Sequence, residues 1–359
     1  MKTAEVEIAQ KLAAGIRKKA VHPVNLMEFC GGHTVAILKQ GLKQLLPPSV
    51  HLLSGPGCPV CVTATRDIDK IISLSKQPGV IIATFGDLIR VPGSRSSLQQ
   101  SRADGNDVRI VYSALEALDI ARQNPSRSVV MVGIGFETTA PTIAVSILQA
   151  KRENIRNYLV LSLHKTTSSV IKALLDSGET EINGIICPGH VSAIIGSEPY
   201  SFIPRDYHIG CAVTGFEPVD ILSGIYMLVK QFEENQPRVE ITYRRAVRPE
   251  GNLQALDIMQ QVFEPSTAWW RGIGEIPASG LVLKTEYQDF DAEKRLNPEV
   301  IDSREPPGCI CGDILRAVKT PADCALFEAV CTPEHPVGPC MVSAEGACSA
   351  YHLYGEKIG

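Results

Sequence analysis

A chain of 359 residues is long enough for roughly two or three domains, each with its own core. Hydrophobic residues make up 44% of it and charged residues 21%, as in ordinary globular proteins. A formal net charge of −4 without a long Lys/Arg run argues against nucleic acid as a partner, and no apolar stretch approaches the ~20 residues of a membrane span.

The opening stretch MKTAEVEIAQKLAAGIRKKA carries Glu5 and Glu7 and lacks an apolar signal-peptide core. It reads as an amphipathic helix, and the expected location is the cytoplasm, with no membrane partner. From there β-branched runs alternate with helix-compatible runs. The predicted strands are Val24–Phe29, Val50–Ser54, Val80–Thr84, Val108–Tyr112, Val129–Ile134, Tyr158–Leu163, Gly184–Cys187 and Ile209–Val213. The predicted helices between or after them include Val35–Leu46, Ile68–Ser75, Ser113–Arg122, Thr142–Arg152 and Val219–Phe232. Such alternation implies βαβ units and mainly parallel sheets, hence an α/β fold. Eight strands are many for one sheet, so two α/β domains split near Pro125 are expected, at 1–125 and 126–236. After about Pro237 the alternation stops. A helix around Leu253–Phe263, the Trp269-Trp270 pair and a cysteine-rich tail suggest a third domain, 237–359, partly ordered by metal.

The unusual sequence sits just after the strands: FCGGHT, SGPGCPVC, TFGDLIRVPG, GFETT, CPGHVS and TGFEP. In open α/β sheets ligands bind at the carboxyl ends of strands, so these loops are expected to line one cleft between the two domains. Cys30-Gly31-Gly32-His33 also echoes Cys187-Pro188-Gly189-His190, and Gly135-Phe136-Glu137 echoes Gly215-Phe216-Glu217, as related turns without a single period.

Eleven cysteines in a chain read as cytoplasmic point to metal binding or thiol chemistry and away from a disulfide framework. In GPGCPVC, Cys58 and Cys61 can clamp one metal ion or close a disulfide; half of a structural zinc site is the plainer alternative. A helix following that loop would lower the thiol pKa values through its dipole. In FCGGHT, Cys30 can serve as a third soft ligand, a nucleophile or a redox partner, and His33 can donate a proton, hydrogen-bond a ligand or bind metal. A small buried cysteine and a helix-capping histidine are the plainer readings. Asp87 and Arg90 either orient the cysteine site, bind a partner or form a local ion pair; Glu137, Thr138 and Thr139 fit N-capping at a helix start or a functional role; and His190 reads as a satisfied core or loop histidine. The six tail cysteines, Cys309, Cys311, Cys324, Cys331, Cys340 and Cys348, lack the paired spacing of a zinc ribbon. Four thiolates on a 4Fe–4S cluster with two left over suit them better, zinc being the alternative.

Taken together and in order, FCGGHT, GPGCPVC, TFGDLIRVPG, GFETTAP, PGHVSAIIG, GFEPVDIL and CTPEHPVGPCMVSAEGAC resemble the signature blocks of the HypD family of nickel–iron hydrogenase maturation proteins. The resemblance spans about residues 24–354. It implies two Rossmann-like parallel-sheet domains plus a C-terminal cysteine-rich iron–sulfur domain. It also implies a scaffold on which the Fe(CN)2(CO) unit is assembled, with a HypC-like small chaperone and a HypE-like cyano donor as partners. On this resemblance Cys30, Cys58 and Cys61 would hold or gate iron in transit, with His33 in the same block. Cys309, Cys324, Cys331 and Cys348 would hold the 4Fe–4S cluster, and Cys311 with Cys340 would form a redox pair. One departure is His164-Lys165-Thr166-Thr167, where the family often has prolines after the histidine.

Soft thiolates suit low-spin iron carrying cyanide and carbon monoxide, and Gly-rich turns offer N–H groups to bound cyanide. The competing expectations are an iron–sulfur-dependent thiol–disulfide oxidoreductase acting on proteins, and a zinc-stabilised binding module. No GxxxxGK(S/T) loop is present, so a conventional P-loop is not indicated.

Overall fold

A computed structural model describes residues 3–299 and 302–355. Thr3–Lys19 is a helix, as its amphipathic pattern suggests; Met1 and Lys2 of that stretch lie outside the described residues. The strands are β1 (Val24–Glu28), β2 (Val50–Ser54), β3 (Val80–Thr84), β4 (Val108–Ile110), β5 (Ser128–Gly133), β6 (Tyr158–Ser162), β7 (Gly184–Pro188), β8 (Gly210–Thr214), β9 (Val239–Ile241), β10 (Phe263–Trp270) and β11 (Gly274–Leu283). Among the described residues, no helix is long and apolar enough to cross a membrane.

Two parallel sheets flanked by helices make this a Rossmann-like α/β protein. The first sheet runs β2-β1-β7-β8-β9 and the second β4-β3-β5-β6. Strands β3, β7 and β8 are buried at every position, which is why they read as continuous apolar runs. The chain leaves the first sheet after β2, builds the whole second sheet and then returns.

This path corrects the expected boundaries. Pro125 falls between β4 and β5, and both of these strands pair with β3 in one sheet. The expectation joined strands by order in the chain, but β7 lies beside β1 with Leu26↔Gly184, Met27↔Ile185 and Glu28↔Ile186. Gly184 permits that approach: a β-carbon there would sit 2.6 Å from Leu26 Cδ2. The boundary at 237 shifts as well. β9 extends the first sheet, and the β10–β11 antiparallel hairpin covers the second, adding Phe263, Leu281 and Leu283 to its core. The cysteine-rich segment proper follows residue 302.

In each sheet the chain turns to opposite sides of a central strand. The reversal lies between β1 and β7 in the first sheet and between β3 and β5 in the second. FCGGHT and CPGHVS leave the first of these points, TFGD and GFETT the second, which is where such sheets place their ligands. The helix Gly31–Lys39 starts at the glycine after Cys30 and stops before Gly41, whose φ of +64° ends it short of the expected Leu46.

Gly184→Ala should lower stability by about 1–3 kcal/mol through overpacking against Leu26. The check is the urea midpoint, which should fall with an unchanged slope; an unchanged midpoint would contradict the close packing of β1 on β7.

Candidate functional site

Cys30 is the N-cap of the helix Gly31–Lys39, at the carboxyl end of β1. Burial pushes its thiol pKa up to about 12, and the Glu345 carboxylate adds to that; backbone N–H groups of Gly32 and His33 pull the other way. His33 is fully buried, and burial lowers its pKa to about 4. Its Nε2 lies 3.0 Å from the Gly215 carbonyl and 2.8 Å from the Thr214 hydroxyl. A carbonyl only accepts, so Nε2 carries the proton and Nδ1 is a bare acceptor. Nδ1 is buried and meets no protein partner. This neutral imidazole can accept a hydrogen bond or bind metal through Nδ1, and it does not donate from there.

Three motif loops meet around this ring. Phe216 of the GFEP turn stacks on His33 with centroids 4.6 Å apart, and on His190 at 4.2 Å. His190 is exposed, so of the core and loop positions the sequence left open for it, it takes the loop one.

GPGCPVC packs directly on the same turn. A β-carbon on Gly57 would lie 2.3 Å from the Cys30 nitrogen and 2.4 Å from its Cα. Gly31 N–H donates to the Gly57 carbonyl at 3.3 Å. Cys58 and Cys61 are joined as a disulfide, with Cα atoms 5.2 Å apart. The expected dipole-activated thiols are therefore not present in this state, and the helix that follows, Pro59–Val62, is a single turn. Among the described residues, no group of three or more His, Cys, Asp or Glu side chains is placed to hold one metal ion.

The tail reaches back to both turns. Gly31 is pressed against Glu345, where a β-carbon would sit 2.1 Å from the carbonyl oxygen. The helix Ala347–Tyr354 packs on the helix Gly31–Lys39, and Pro339–Val342 packs on Pro59–Val62. Cys61 Sγ lies 3.9 Å from the Pro339 carbonyl. All six tail cysteines line one small cavity of about 10 Å³, bounded otherwise by Ile314, Leu326, Phe327, Gly338 and Met341. Cys311 Sγ and Cys340 Sγ are 2.7 Å apart. The Cys309 and Cys340 thiols favour the Cys311 thiolate by hydrogen bonding, and Arg271 adds in the same sense, so its pKa lies well below the usual value. Gly338 makes room for Cys309 Sγ, 2.6 Å from where a β-carbon would stand, and Val337 N–H donates to Cys331 Sγ at 3.3 Å. A donor set of thiols alone, gathered around a small apolar space, has the chemistry of a thiolate-held iron–sulfur group.

The family model for HypD, described as the hydrogenase formation hypA family, matches residues 7–355. The chain belongs to the HypD family. It is 46% identical over 360 residues to hydrogenase maturation factor HypD2 of Bradyrhizobium diazoefficiens, covering 98% of this chain and 95% of that protein. It is 45% identical to HypD of Rhodobacter capsulatus, covering 97% and 94%. To HypD of Escherichia coli it is 43% identical, covering 98% and 95%.

In this HypD-family chain the remaining sequence candidates fall into place. Arg90 does not close a local ion pair; its Nη1 donates to the Pro333 carbonyl of the tail at 3.0 Å. Asp87 faces Glu345, whose pKa is raised by burial and by that neighbour. Glu137 caps a different helix from its own: it accepts from Thr167 N–H at 2.7 Å and the Thr167 hydroxyl at 2.9 Å. His164 is buried away from the cysteine turns, its Nδ1 3.0 Å from Ser162 Oγ.

Sequence reasoning missed Glu28, the last residue of β1. Its Oε1 accepts from the Thr34 and Ser54 hydroxyls at 2.6 and 2.9 Å, and burial pushes its pKa up to about 7. An acidic residue closing a strand of apolar neighbours was the available signal.

The His33 geometry is checked by NMR of protein labelled with 15N-histidine. It should show a neutral Nε2–H tautomer at pH 6, with protonation only near pH 4. An unfolded imidazole takes a proton below about pH 6.5, so His33 stabilises the fold above that pH and loses its contribution as pH falls towards 4. A cationic ring or a neutral Nδ1–H form at pH 6 would contradict the assignment.

Proposed function

We propose that this chain is the scaffold on which the Fe(CN)2(CO) unit of nickel–iron hydrogenase is assembled, and that its tail holds a redox-active 4Fe–4S cluster. The observation that carries the reading is the packing of FCGGHT, GPGCPVC and the cysteine-lined tail into one region. Cys30, Cys58 and Cys61 are the thiols offered to the iron being assembled, which is the substrate. Such open sulfur positions suit iron that must also take cyanide, carbon monoxide and a partner's ligand. Cyanide and carbonyl carbon bind the metal, and a bound cyanide nitrogen favours N–H donors, which the glycine-rich turns provide. His33 offers an acceptor to a protonated group nearby.

The Cys58–Cys61 disulfide must open before those sulfurs can bind iron. Opening it takes two electrons and two protons and yields two thiols. The helix carrying Cys340 rests on the helix carrying Cys61, which supports Cys311 and Cys340 as the adjacent dithiol; in delivering the two electrons they become a disulfide themselves. Cys309, Cys324, Cys331 and Cys348 are the remaining thiols of the cavity and are the proposed cluster ligands. When bound, the cluster supplies single electrons to this relay. A HypC-like chaperone and a HypE-like cyano donor are the proposed partners, at the exposed surface by His190 and Phe216. So many free thiols suit the reducing cytoplasm.

The disulfide beside a second thiol pair also favours another reading, a thiol–disulfide oxidoreductase acting on other proteins. Infrared spectra of the anaerobic full-length protein with its small partner distinguish the two. The scaffold reading expects cyanide and carbonyl bands that vanish in Cys58→Ala and Cys61→Ala, while the visible absorbance of the iron–sulfur group stays near normal. Bands that survive in both variants would overturn the assembly site, and loss of the tail's iron in them would show the two sites had been interchanged.

A further inference from the structure

Arg271 lies at the tip of the β10–β11 hairpin, outside every motif, and is 2% exposed. Its Nε donates to the Thr63 carbonyl at 3.0 Å, and its Nη1 donates to the Thr65 hydroxyl and the Glu305 carboxylate. Its Nη2 is buried and meets no protein acceptor. A permanent cation with an unmatched buried N–H is costly, and its presence calls for negative charge that the side chains around it supply only in part.

The next residue touches the tail. A β-carbon on Gly272 would lie 2.1 Å from the Cα of Gly312, which follows Cys311 in the wall of the cysteine cavity. On its other side Arg271 N–H donates to the Val62 carbonyl at 2.9 Å, one residue after Cys61. One buried positive charge is thus wedged between the two thiol sites, and its carboxylate partner Glu305 has a side chain 52% exposed.

We infer that Arg271 is a positioning residue that raises the reduction potential of the iron–sulfur group in the tail, with Glu305 as the opposing charge. The inference rests on the reading of the tail as a cluster site. Reduction adds one electron to the group and breaks no bond in the chain. A fixed positive charge alongside stabilises the added negative charge, so the reduced form gains. Water screens Glu305 more than Arg271, so the cation dominates.

The test is a redox titration of the full-length, anaerobically prepared protein, followed by its visible absorbance and electron paramagnetic resonance. Arg271→Gln should lower the midpoint potential. Arg271→Lys should stay closer to the parent, because it keeps the charge. Glu305→Gln should shift the midpoint upward, since it removes the opposing charge from an exposed position. Opposite signs for Arg271→Gln and Glu305→Gln support the inference; a merely structural role would move both the same way. If Arg271→Gln does not fold, Glu305→Gln decides alone, and an unmoved or lowered midpoint overturns the inference. A parent protein without an iron–sulfur signal overturns the proposed function and this inference together. A parent cluster whose midpoint ignores both substitutions overturns the inference alone.

Discussion

At Gly57 a β-carbon would lie 2.3 Å from the Cys30 nitrogen, at Gly31 one would lie 2.1 Å from the Glu345 carbonyl oxygen, and at Gly272 one would lie 2.1 Å from Gly312 Cα. These are contacts of backbone with backbone, and no rotamer change relieves them. They dock the GPGCPVC turn on the FCGGHT turn, the tail on the FCGGHT turn, and the hairpin tip on the tail. Cysteines drawn from opposite ends of the chain are thereby held in one region by main chain, not by flexible side chains. On the proposed reading, a site that passes electrons between thiols and offers sulfur to iron needs that kind of fixed separation.

Burial sets the charge state of the same region. Glu28 with a pKa near 7, Cys30 near 12 and His33 near 4 all have their neutral forms favoured by desolvation. The surroundings of Cys30 therefore carry little charge beyond that of Glu345 and its neighbour Asp87. Iron arriving as a cation would reverse the preference at Cys30, because a metal stabilises the thiolate directly. On the proposed reading, thiolate formation and iron entry are coupled, which keeps the cysteine protonated and unreactive beforehand.

All eight strands between Val24 and Thr214 were legible in the sequence, with ends displaced by at most two residues, because buried parallel strands are short β-branched runs bounded by Gly, Pro and Asn. Their assortment into sheets was not. β1 and β7 meet through Leu26, Gly184 and Leu228, a packing that no local pattern encodes. The cysteine-rich tail and the two glycine-rich cysteine turns stood out by residue type and spacing. The Phe216 stack between His33 and His190 did not, since it joins turns after three different strands. Arg271 was invisible for another reason: in Trp269-Trp270-Arg271-Gly272 nothing local distinguishes a buried arginine from a surface one. GFETT was read as capping the helix it opens, but that helix start has no side-chain cap; Glu137 instead caps the helix at Thr167, which only the folded chain brings there.

Central to the account is one chain with two separate iron environments, a cluster inside the cysteine-lined tail and a single low-spin iron at the GPGCPVC and FCGGHT turns. Mössbauer spectroscopy of 57Fe-labelled protein, prepared anaerobically with its small partner, tests this most directly. The account requires two components, about four irons in a cluster to one low-spin iron, and Cys58→Ala should remove only the minor one. A single component, or joint loss of both in that variant, would contradict it.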